Sequence, residues 1–273
     1  MNGLGNDFVV LDWEEFQKTN TPADKLALKL CNRNFGIGAD GLIIVNPNTE
    51  KADISWLFYN SDSSIAQMCG NGMRCFARYV YDNKILDKKE FSVETKAGII
   101  VPKIISDTEV CVNMGKPILD PKKIPCKAKT NLNIPYSIES KDFLLNAVSM
   151  GNPHCIIFTN ENSKELALKY GAIIENDTLF PEKTNVEFVE ILSKNELTIN
   201  VWERGCGITL ACGTGACATT VAGILNGYLI NTVKANLPGG TLKIEWQGNQ
   251  TNTNQNVYMT GRADYSFVGK ITI

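Results

Sequence analysis

Two short segments of the chain combine a cysteine with glycines in the same order, Cys-Gly-x-Gly. The first occupies residues 69–72 and the second residues 212–215, and each leads into apolar residues with helical spacing. A helix N-terminus carries unpaired N–H groups and a partial positive charge, and glycines let a ligand approach that backbone closely. Each segment therefore predicts a cradle for a carboxylate. The same position should lower the pKa of Cys69 and Cys212 below the ordinary value of about 8.5.

These segments belong to a longer internal repeat. When Cys69 is placed over Cys212, further blocks match in nearly the same register. They pair residues 5–8 with 151–154, 40–44 with 185–189, and 91–98 with 232–240. A chance pair of Cys-Gly-x-Gly motifs is easy to obtain, whereas four matched blocks in one order are not. The sequence therefore predicts two homologous lobes.

Two thiols at equivalent points of a repeat suggest stereoinversion. If the lobes face each other, one thiolate can remove an α-proton while the other thiol delivers a proton to the opposite face. The carbanion between these steps needs N–H donors aimed at the substrate carboxylate, because no pyridoxal phosphate is expected to act as an electron sink. A single cysteine near a helix start is more often a small buried hydrophobe, and we interpret Cys75 and Cys217 as packing residues of this kind.

The elements that must position these segments follow from apolar patterning. Short alternating stretches predict strands, at residues 54–58, 99–105, 198–201 and 242–246. Helical spacing predicts helices, at residues 21–31, 69–82, 164–170 and 215–226. This is an α+β pattern with more strands than helices. Residues 116–129 are rich in proline and lysine and suit a crossover between lobes.

Composition narrows the class of protein. A net charge of −2 and a pI near 5.6 exclude the basic surface that nucleic acid requires. No stretch approaches the ~20 apolar residues of a membrane helix, and residues 1–7 do not resemble a secretory signal. Nine cysteines indicate a reducing cytoplasm rather than a disulfide framework. Their spacing lacks the pairs of a structural zinc site, so no metal is expected.

The chain as a whole resembles the diaminopimelate epimerase family. The motifs that carry the resemblance are weak singly but specific together, and they occupy residues 3–8, 36–41, 68–75, 112–115, 150–155, 184–188, 203–207, 211–217 and 237–240. The resemblance implies two pseudo-symmetric lobes, each with strands wrapped around a central helix, and an active site in the interlobe cleft. It implies an N-terminal lobe of residues 1–113, to which residues 258–273 return, and a C-terminal lobe of residues 114–257.

The resemblance also implies an activity. It would be the cofactor-free epimerisation of LL-2,6-diaminopimelate to the meso form, for lysine and peptidoglycan synthesis, by a cytoplasmic homodimer. Cys69 and Cys212 match the acid/base cysteines, of which the first donates and the second accepts, with exchanged roles in the reverse direction. His154 and Glu203 match residues that tune these cysteines. Substrate contacts fall on Asn6, Asn60, Gly70, Asn71, Asn152, Asn185, Glu203, Arg204, Gly213 and Thr214.

Three departures from the family pattern stand out. The chain starts at Met1, so the short strand that usually precedes Gly3 is absent. Either the sheet of the first lobe lacks an edge, or the true start of the chain lies upstream. Gly41 stands where some members have a glutamine that contacts substrate. Arg262 stands where proline is common.

Other interpretations stay open at this point. A proline or hydroxyproline racemase would share the fold, but it typically has histidine where this chain has Asn71, and Glu203 with Arg204 suits a diamino diacid better. A fold relative that isomerises without both cysteines and a non-catalytic amino-acid binding protein are further alternatives. A pyridoxal phosphate enzyme is disfavoured because no lysine has a recognisable Schiff-base context. The asparagines could be turn residues, Arg204 a surface ion pair and His154 a core residue.

Overall fold

A computed structural model describes residues 1–66, 68–139 and 141–272. The chain divides into two compact units. Unit 1 comprises Met1–Asn113 and Thr260–Ile273, and unit 2 comprises Met114–Met259. Among the described residues, every helix is too short or too polar for a membrane span.

Unit 1 is built on a mixed sheet with helices beside it. Over the described residues the sheet has six strands in chain order, β1 (Asn2–Gly3), β2 (Asn6–Asp12), β3 (Gly41–Asn46), β4 (Ile54–Asn60), β5 (Val93–Thr95) and β6 (Gly98–Ile100). Two further strands pair with each other, β7 (Pro102–Ile104) and β8 (Glu109–Asn113). The helices are α1 (Trp13–Lys18), α2 (Ala23–Cys31) and α3 (Gly70–Asp82). Helix α3 packs against β1, β2, β7 and β8, so strands surround it.

Unit 2 has a larger sheet of the same kind. Its strands are β9 (Ile134–Ile138), β10 (Lys141–Ser149), β11 (Pro153–Thr159), β12 (Asn185–Ser193), β13 (Glu196–Glu203), β14 (Gly207–Ile208), β15 (Thr232–Leu237) and β16 (Gly240–Trp246). A last strand, β17 (Val257–Arg262), carries the chain past the unit boundary, which lies after Met259 instead of after residue 257. The helices are α4 (Ser163–Glu175) and α5 (Gly213–Leu225), with a 3₁₀ turn at Pro121–Lys123. Helix α5 packs against β10, β11, β12, β15 and β16.

The two units repeat one architecture. From β1 to β6 the successive pairings are antiparallel, parallel, antiparallel, parallel and antiparallel. The path β10-β11-β12-β13-β15-β16 has the same succession. Helices α3 and α5 each contain 13 residues and begin directly after Cys69 and Cys212. The predicted α+β fold of two similar lobes with central helices is therefore confirmed.

The central helices are buried on most sides. In α5 small residues pack on all sides, and Ala216, Ala218 and Ala222 are fully buried. In α3 the fully buried Arg74 donates from Nε to the carbonyl of Arg262 at 3.1 Å. These contacts hold the returning C-terminal segment of unit 1 against its central helix.

Two local predictions were wrong, and a third was incomplete. The strand predicted at residues 99–105 is two strands, because β6 pairs with β5 whereas β7 pairs with β8, and Pro102 at the break has no N–H to donate. Residues 116–129 are not only a crossover, since Ile124 and Cys126 join the apolar core of unit 2. The sheet of unit 1 does have an edge strand, β1, which pairs with β2 and also bridges from Asn2 to Asp264.

Gly41 departs from the family pattern for a packing reason. A Cβ added at this position would lie 2.6 Å from the ring of Phe58 and 2.8 Å from the carbonyl oxygen of Tyr59. The second contact is with backbone of the neighbouring strand β4, which cannot move aside without breaking the sheet pairing. A glutamine at this position would therefore require a different strand geometry.

Candidate functional site

In unit 1, the thiol of Cys69 makes two hydrogen bonds with opposite effects on its protonation. Cys69 is the residue directly before α3, and its Sγ accepts a hydrogen bond from the N–H of Gly72 at 3.4 Å, which favours the thiolate. Its S–H donates to Oδ1 of Asn6 at 3.6 Å, which favours the thiol. The half-buried thiol can therefore hold a proton or release it with a hydrogen-bond partner in either state.

The amide of Asn6 is fixed by a chain of charged partners. Its Nδ2 donates to Oδ2 of Asp40 at 2.5 Å, so its Oδ1 is the atom left to face Cys69. Oδ1 of Asp40 accepts from Arg33 at 2.8 Å, and the same guanidinium makes two hydrogen bonds to Asp7, at 2.9 and 3.0 Å. Arg33 thus orients the amide that contacts the thiol without touching the thiol itself.

Unit 1 has an opening beside Cys69 with a volume of about 430 Å³. Asn6, Asn60 and Cys69 of the predicted site line it, together with Asp40, which the sequence did not indicate. Asn71 is buried and donates from Nδ2 to the same oxygen of Asn6 at 3.4 Å. The predicted residues of the first lobe therefore do lie together.

In unit 2, Cys212 precedes α5 in the same way but is buried. Its Sγ lies 3.5 Å from the hydroxyl of Thr214, which also accepts from Nδ2 of Asn152 at 3.3 Å. Asn152 is the counterpart of Asn6 in the repeat. Each unit thus places an asparagine from the start of a strand beside the first turn of its central helix.

A buried polar cluster lies behind Cys212. The ring nitrogens of the fully buried His154 lie 2.7 Å from Oε1 of Glu187 and 3.1 Å from Oδ1 of Asn152. The other carboxylate oxygen of Glu187 is buried and has no hydrogen-bond partner among the described residues. Three possible metal ligands lie within 4.8 Å of one another, one atom each from His154, Glu187 and Cys212. This donor set could hold a metal ion. The spacing of cysteines alone could not indicate it.

The pKa of Cys212 is raised well above its usual value, and the predicted lowering is wrong for this thiol. Burial is the largest cause, followed by the charges of Glu203 and Glu187. The hydroxyl of Thr214 and the N–H of Gly215 act in the other direction but do not overcome them. The helix terminus alone led to the prediction, whereas burial beside two carboxylates decides the sign.

Glu203 is placed to influence Cys212. Burial raises the pKa of this carboxyl, while hydrogen bonds from Thr209 and from the thiol of Cys212 act to lower it. Glu203 therefore sits beside the thiol as a carboxyl group that binds a proton more readily than an exposed glutamate does.

Two residues of unit 2 that were predicted to contact substrate, Asn185 and Arg204, form hydrogen bonds within the protein. Asn185 donates from Nδ2 to the carbonyl of Pro153 at 2.8 Å and accepts at Oδ1 from the N–H of Arg204 at 3.0 Å. The guanidinium of Arg204 donates to the carbonyl of Glu182 at 3.1 Å. Both side chains thus secure the backbone around the end of β13 in this structure.

Glu187, like Asp40 and Arg33, is a residue that sequence reasoning missed. It lies in β12 between Val186 and Phe188, and all three are fully buried. A charged residue within a fully buried apolar strand is itself a signal, because such groups are rarely buried without a partner. The partner, His154, could not be found from spacing, since it comes from the neighbouring parallel strand β11.

Two units of one architecture, each with a cysteine at the start of its central helix, define a class of two-lobed α+β proteins. Solved structures share this fold. A phenazine biosynthesis protein of the PhzF family from Bacillus anthracis gives a TM-score of 0.63 at 14% identity, over 96% of this chain and 92% of that one. A hydroxyproline epimerase from Agrobacterium vitis gives a TM-score of 0.61 at 14% identity, over 87% and 77%. At this identity the likeness concerns the fold alone.

Sequence comparisons identify the family. The family model described as diaminopimelate epimerase matches residues 1–119 and 146–266. The diaminopimelate epimerase of Carboxydothermus hydrogenoformans is 49% identical over 99% of this chain and 97% of its own length. That of Halothermothrix orenii is 46% identical over 100% and 96%. The chain belongs to the diaminopimelate epimerase family, which confirms the resemblance seen in its motifs.

Proposed function

We propose that this protein is a cofactor-independent epimerase that converts LL-2,6-diaminopimelate to the meso form. The observation that carries the proposal is similarity along nearly the full chain to diaminopimelate epimerases, at 46% and 49% identity for two of them. The chemistry of the two half-sites supports it, because each unit offers a thiol beside the N-terminus of its central helix. We place the reaction in lysine and peptidoglycan synthesis, as the family's product implies.

The reaction needs one sulfur on each side of the α-carbon. One thiolate takes the α-proton, and the electron pair left on carbon is stabilised through the adjacent carboxylate. The other thiol gives its proton to the opposite face, so the two cysteines exchange protonation states in one turnover. The raised pKa of Cys212 favours its thiol, and Glu203 is the neighbouring group that can take its proton when Cys212 acts as the base.

The substrate carboxylate at the reacting centre needs N–H donors that are not already used in the hydrogen bonds of the helices. In α3 the first intrahelical bond runs from Met73 N to Cys69 O, and in α5 from Ala216 N to Cys212 O. The N–H groups before these positions have no partner within their own helix. We therefore assign the carboxylate to the backbone of residues 70–71 and 213–214. The remaining polar contacts to substrate fall on Asn6, Asn60, Asn71, Asn152, Asn185, Glu203, Arg204 and Thr214, with His154 and Glu203 tuning the thiols.

Deuterium uptake at the α-carbon tests the function. The reduced protein is incubated with LL-diaminopimelate in heavy water without added cofactor, and uptake and inversion are followed by NMR and chiral chromatography. Uptake with formation of the meso isomer is the expected result. Uptake from proline but not from diaminopimelate would reject the substrate, and no uptake from either would reject the epimerase.

We also propose that the enzyme is a cytoplasmic homodimer. The family membership and the nine cysteines, none of which forms a disulfide among the described residues, support this proposal. Sedimentation equilibrium of the purified chain measures the oligomeric state, and a monomer at micromolar concentration would contradict it. Fractionation of expressing cells would test the compartment.

Replacing Arg33 by methionine should impair catalysis more than stability. The substitution removes the group that holds Asp40, and hence the amide of Asn6, so that Oδ1 of Asn6 no longer points steadily at Cys69. If the activation free energy rises by about 1.4 kcal/mol when Asn6 is no longer oriented, kcat/KM falls roughly tenfold. The melting temperature should change little, because the side chain of Arg33 is 59% exposed.

Steady-state kinetics and thermal melts of Arg33→Met, compared with Arg33→Lys, make this test. Lysine keeps the charge but cannot bind two carboxylates in the same fork, so an intermediate effect is expected. An unchanged kcat/KM for the methionine variant would show that the amide of Asn6 is oriented without Arg33.

A further inference from the structure

We propose that His154, Glu187 and Cys212 form a binding site for Zn²⁺, and that occupation of this site inhibits the enzyme. The binding part of the proposal stands on the geometry of unit 2 alone. The inhibitory part rests on the proposed function, because it requires Cys212 to transfer a proton.

The three ligand atoms are close enough for one ion. They lie within 4.8 Å of one another, and all three side chains are buried. Zinc binds nitrogen and oxygen at about 2.0–2.2 Å and sulfur at about 2.3 Å, so tetrahedral ligands lie roughly 3.5 Å apart. Side-chain movements of about 1 Å would therefore bring the three atoms to coordinating distance, with the fourth position left to a water molecule.

The donor set selects the kind of ion. An imidazole, a carboxylate and a thiol are the ligands that zinc prefers, whereas Mg²⁺ and Ca²⁺ take oxygen donors. Glu187 also has binding capacity that the protein does not use. Its Oε1 lies against the ring of His154, while its buried Oε2 has no hydrogen-bond partner among the described residues. Such an oxygen loses its solvation without regaining a partner, and a cation would supply one.

The charges around Cys212 favour a divalent cation. A carboxylate oxygen of Glu187 lies within 4.8 Å of Sγ of Cys212, and the carboxyl group of Glu203 also lies beside this thiol. A cation at this position would neutralise the carboxylates and bind the thiolate directly. The Cys212 S–H bond breaks, the Zn–S bond forms and one proton passes to solvent, with no change of oxidation state. A thiolate held in this way can neither remove an α-proton nor return one.

Cobalt provides the sharpest test, because a Co²⁺–thiolate bond gives a charge-transfer absorption band. The reduced, chelator-treated full chain is titrated with Co²⁺ in the spectrometer and with Zn²⁺ in a calorimeter. One equivalent of each ion should bind, the Co²⁺ complex should show the thiolate band, and Zn²⁺ should remove the band by displacing Co²⁺.

Variants locate the site. Cys212→Ser should abolish the thiolate band. Glu187→Gln should weaken Zn²⁺ binding by at least about 10-fold, because even the loss of a group that only supports a ligand typically costs about 10–100-fold in metal affinity. Cys206→Ser removes the exposed thiol on the neighbouring turn and should leave the thiolate band and the Zn²⁺ affinity unchanged. A band that survives Cys212→Ser, or the absence of stoichiometric binding to the wild-type chain, would overturn the proposal. Circular dichroism establishes that each variant is folded.

Inhibition is measured separately from binding. Deuterium uptake should stop at one bound Zn²⁺ per chain and return when a chelator is added. If the metal-free chain shows no uptake from diaminopimelate but the cobalt band is present, the proposed function fails and the metal site stands. If uptake proceeds unchanged with the site saturated, the inhibitory part fails.

Discussion

Cys69→Ser and Cys212→Ser should each lose at least about 100-fold of the epimerisation rate while remaining folded. A positioned acid or base contributes roughly 10²–10⁴-fold to a proton transfer, and a serine hydroxyl is too weak an acid to replace a thiol in either role. Serine is close to cysteine in size, so the packing around the helix starts should be kept. Net inversion and deuterium uptake from each stereoisomer, measured with thermal melts, test this expectation.

The two variants should differ in a way that a merely structural role would not produce. Each variant keeps one thiol. Slow proton exchange at one face of the α-carbon can therefore continue in a variant that no longer inverts the substrate. The stereoisomer from which exchange persists should therefore be opposite for the two variants. Cys206→Ser is the matched control and should retain its activity. Inversion above a tenth of the wild-type rate in either serine variant would contradict the two-thiol mechanism.

Local sequence was sufficient to predict the starts of the central helices. Cysteine followed by glycine, a polar residue and glycine specifies a helix beginning by short-range rules, and the repeat of that signal allowed the two lobes to be inferred. The parallel pairing of β2 with β3, which brings Asp40 to Asn6, depends on contacts between distant residues. Such pairings cannot be derived from apolar periodicity, so Asp40 and Arg33 were not recognised.

The electrostatics of Cys212 could not be predicted for a related reason. The helix N-terminus is visible in the sequence and favours a thiolate, but burial and the carboxylates of Glu203 and Glu187 are properties of the assembled sheet. In unit 1 the equivalent thiol is only half-buried and contacts an amide instead. Equivalent motifs therefore lie in unlike environments, which suits the proposed mechanism, in which the two thiols start a turnover in opposite protonation states.

Gly215→Ala should damage the enzyme far more than the equivalent change in unit 1. A Cβ at position 215 would lie 2.5 Å from Oε1 of Glu187 and 3.3 Å from Sγ of Cys212. Glu187 is fully buried and in contact with His154, so it cannot swing into solvent to relieve the clash. We expect a loss of stability of about 1–3 kcal/mol from overpacking. Displacement of the thiol by about 1 Å should also lower kcat by roughly 100-fold.

Gly72→Ala is the matched comparison, because Gly72 occupies the same position of α3. Its Cβ would meet Cδ1 of Ile43 at 3.3 Å and the ring of Phe8 at 3.5 Å, and a methyl group can shift by the few tenths of an ångström required. Its effect on kcat should therefore be at least tenfold smaller, a difference of about 1.4 kcal/mol in activation free energy. Similar mild effects of both alanines on kcat and melting temperature would mean that the cluster behind Cys212 yields easily. A large effect confined to Gly215→Ala would mean that Glu187 and His154 form a rigid support. The Cys212 thiol could then keep its position only if residue 215 has no side chain.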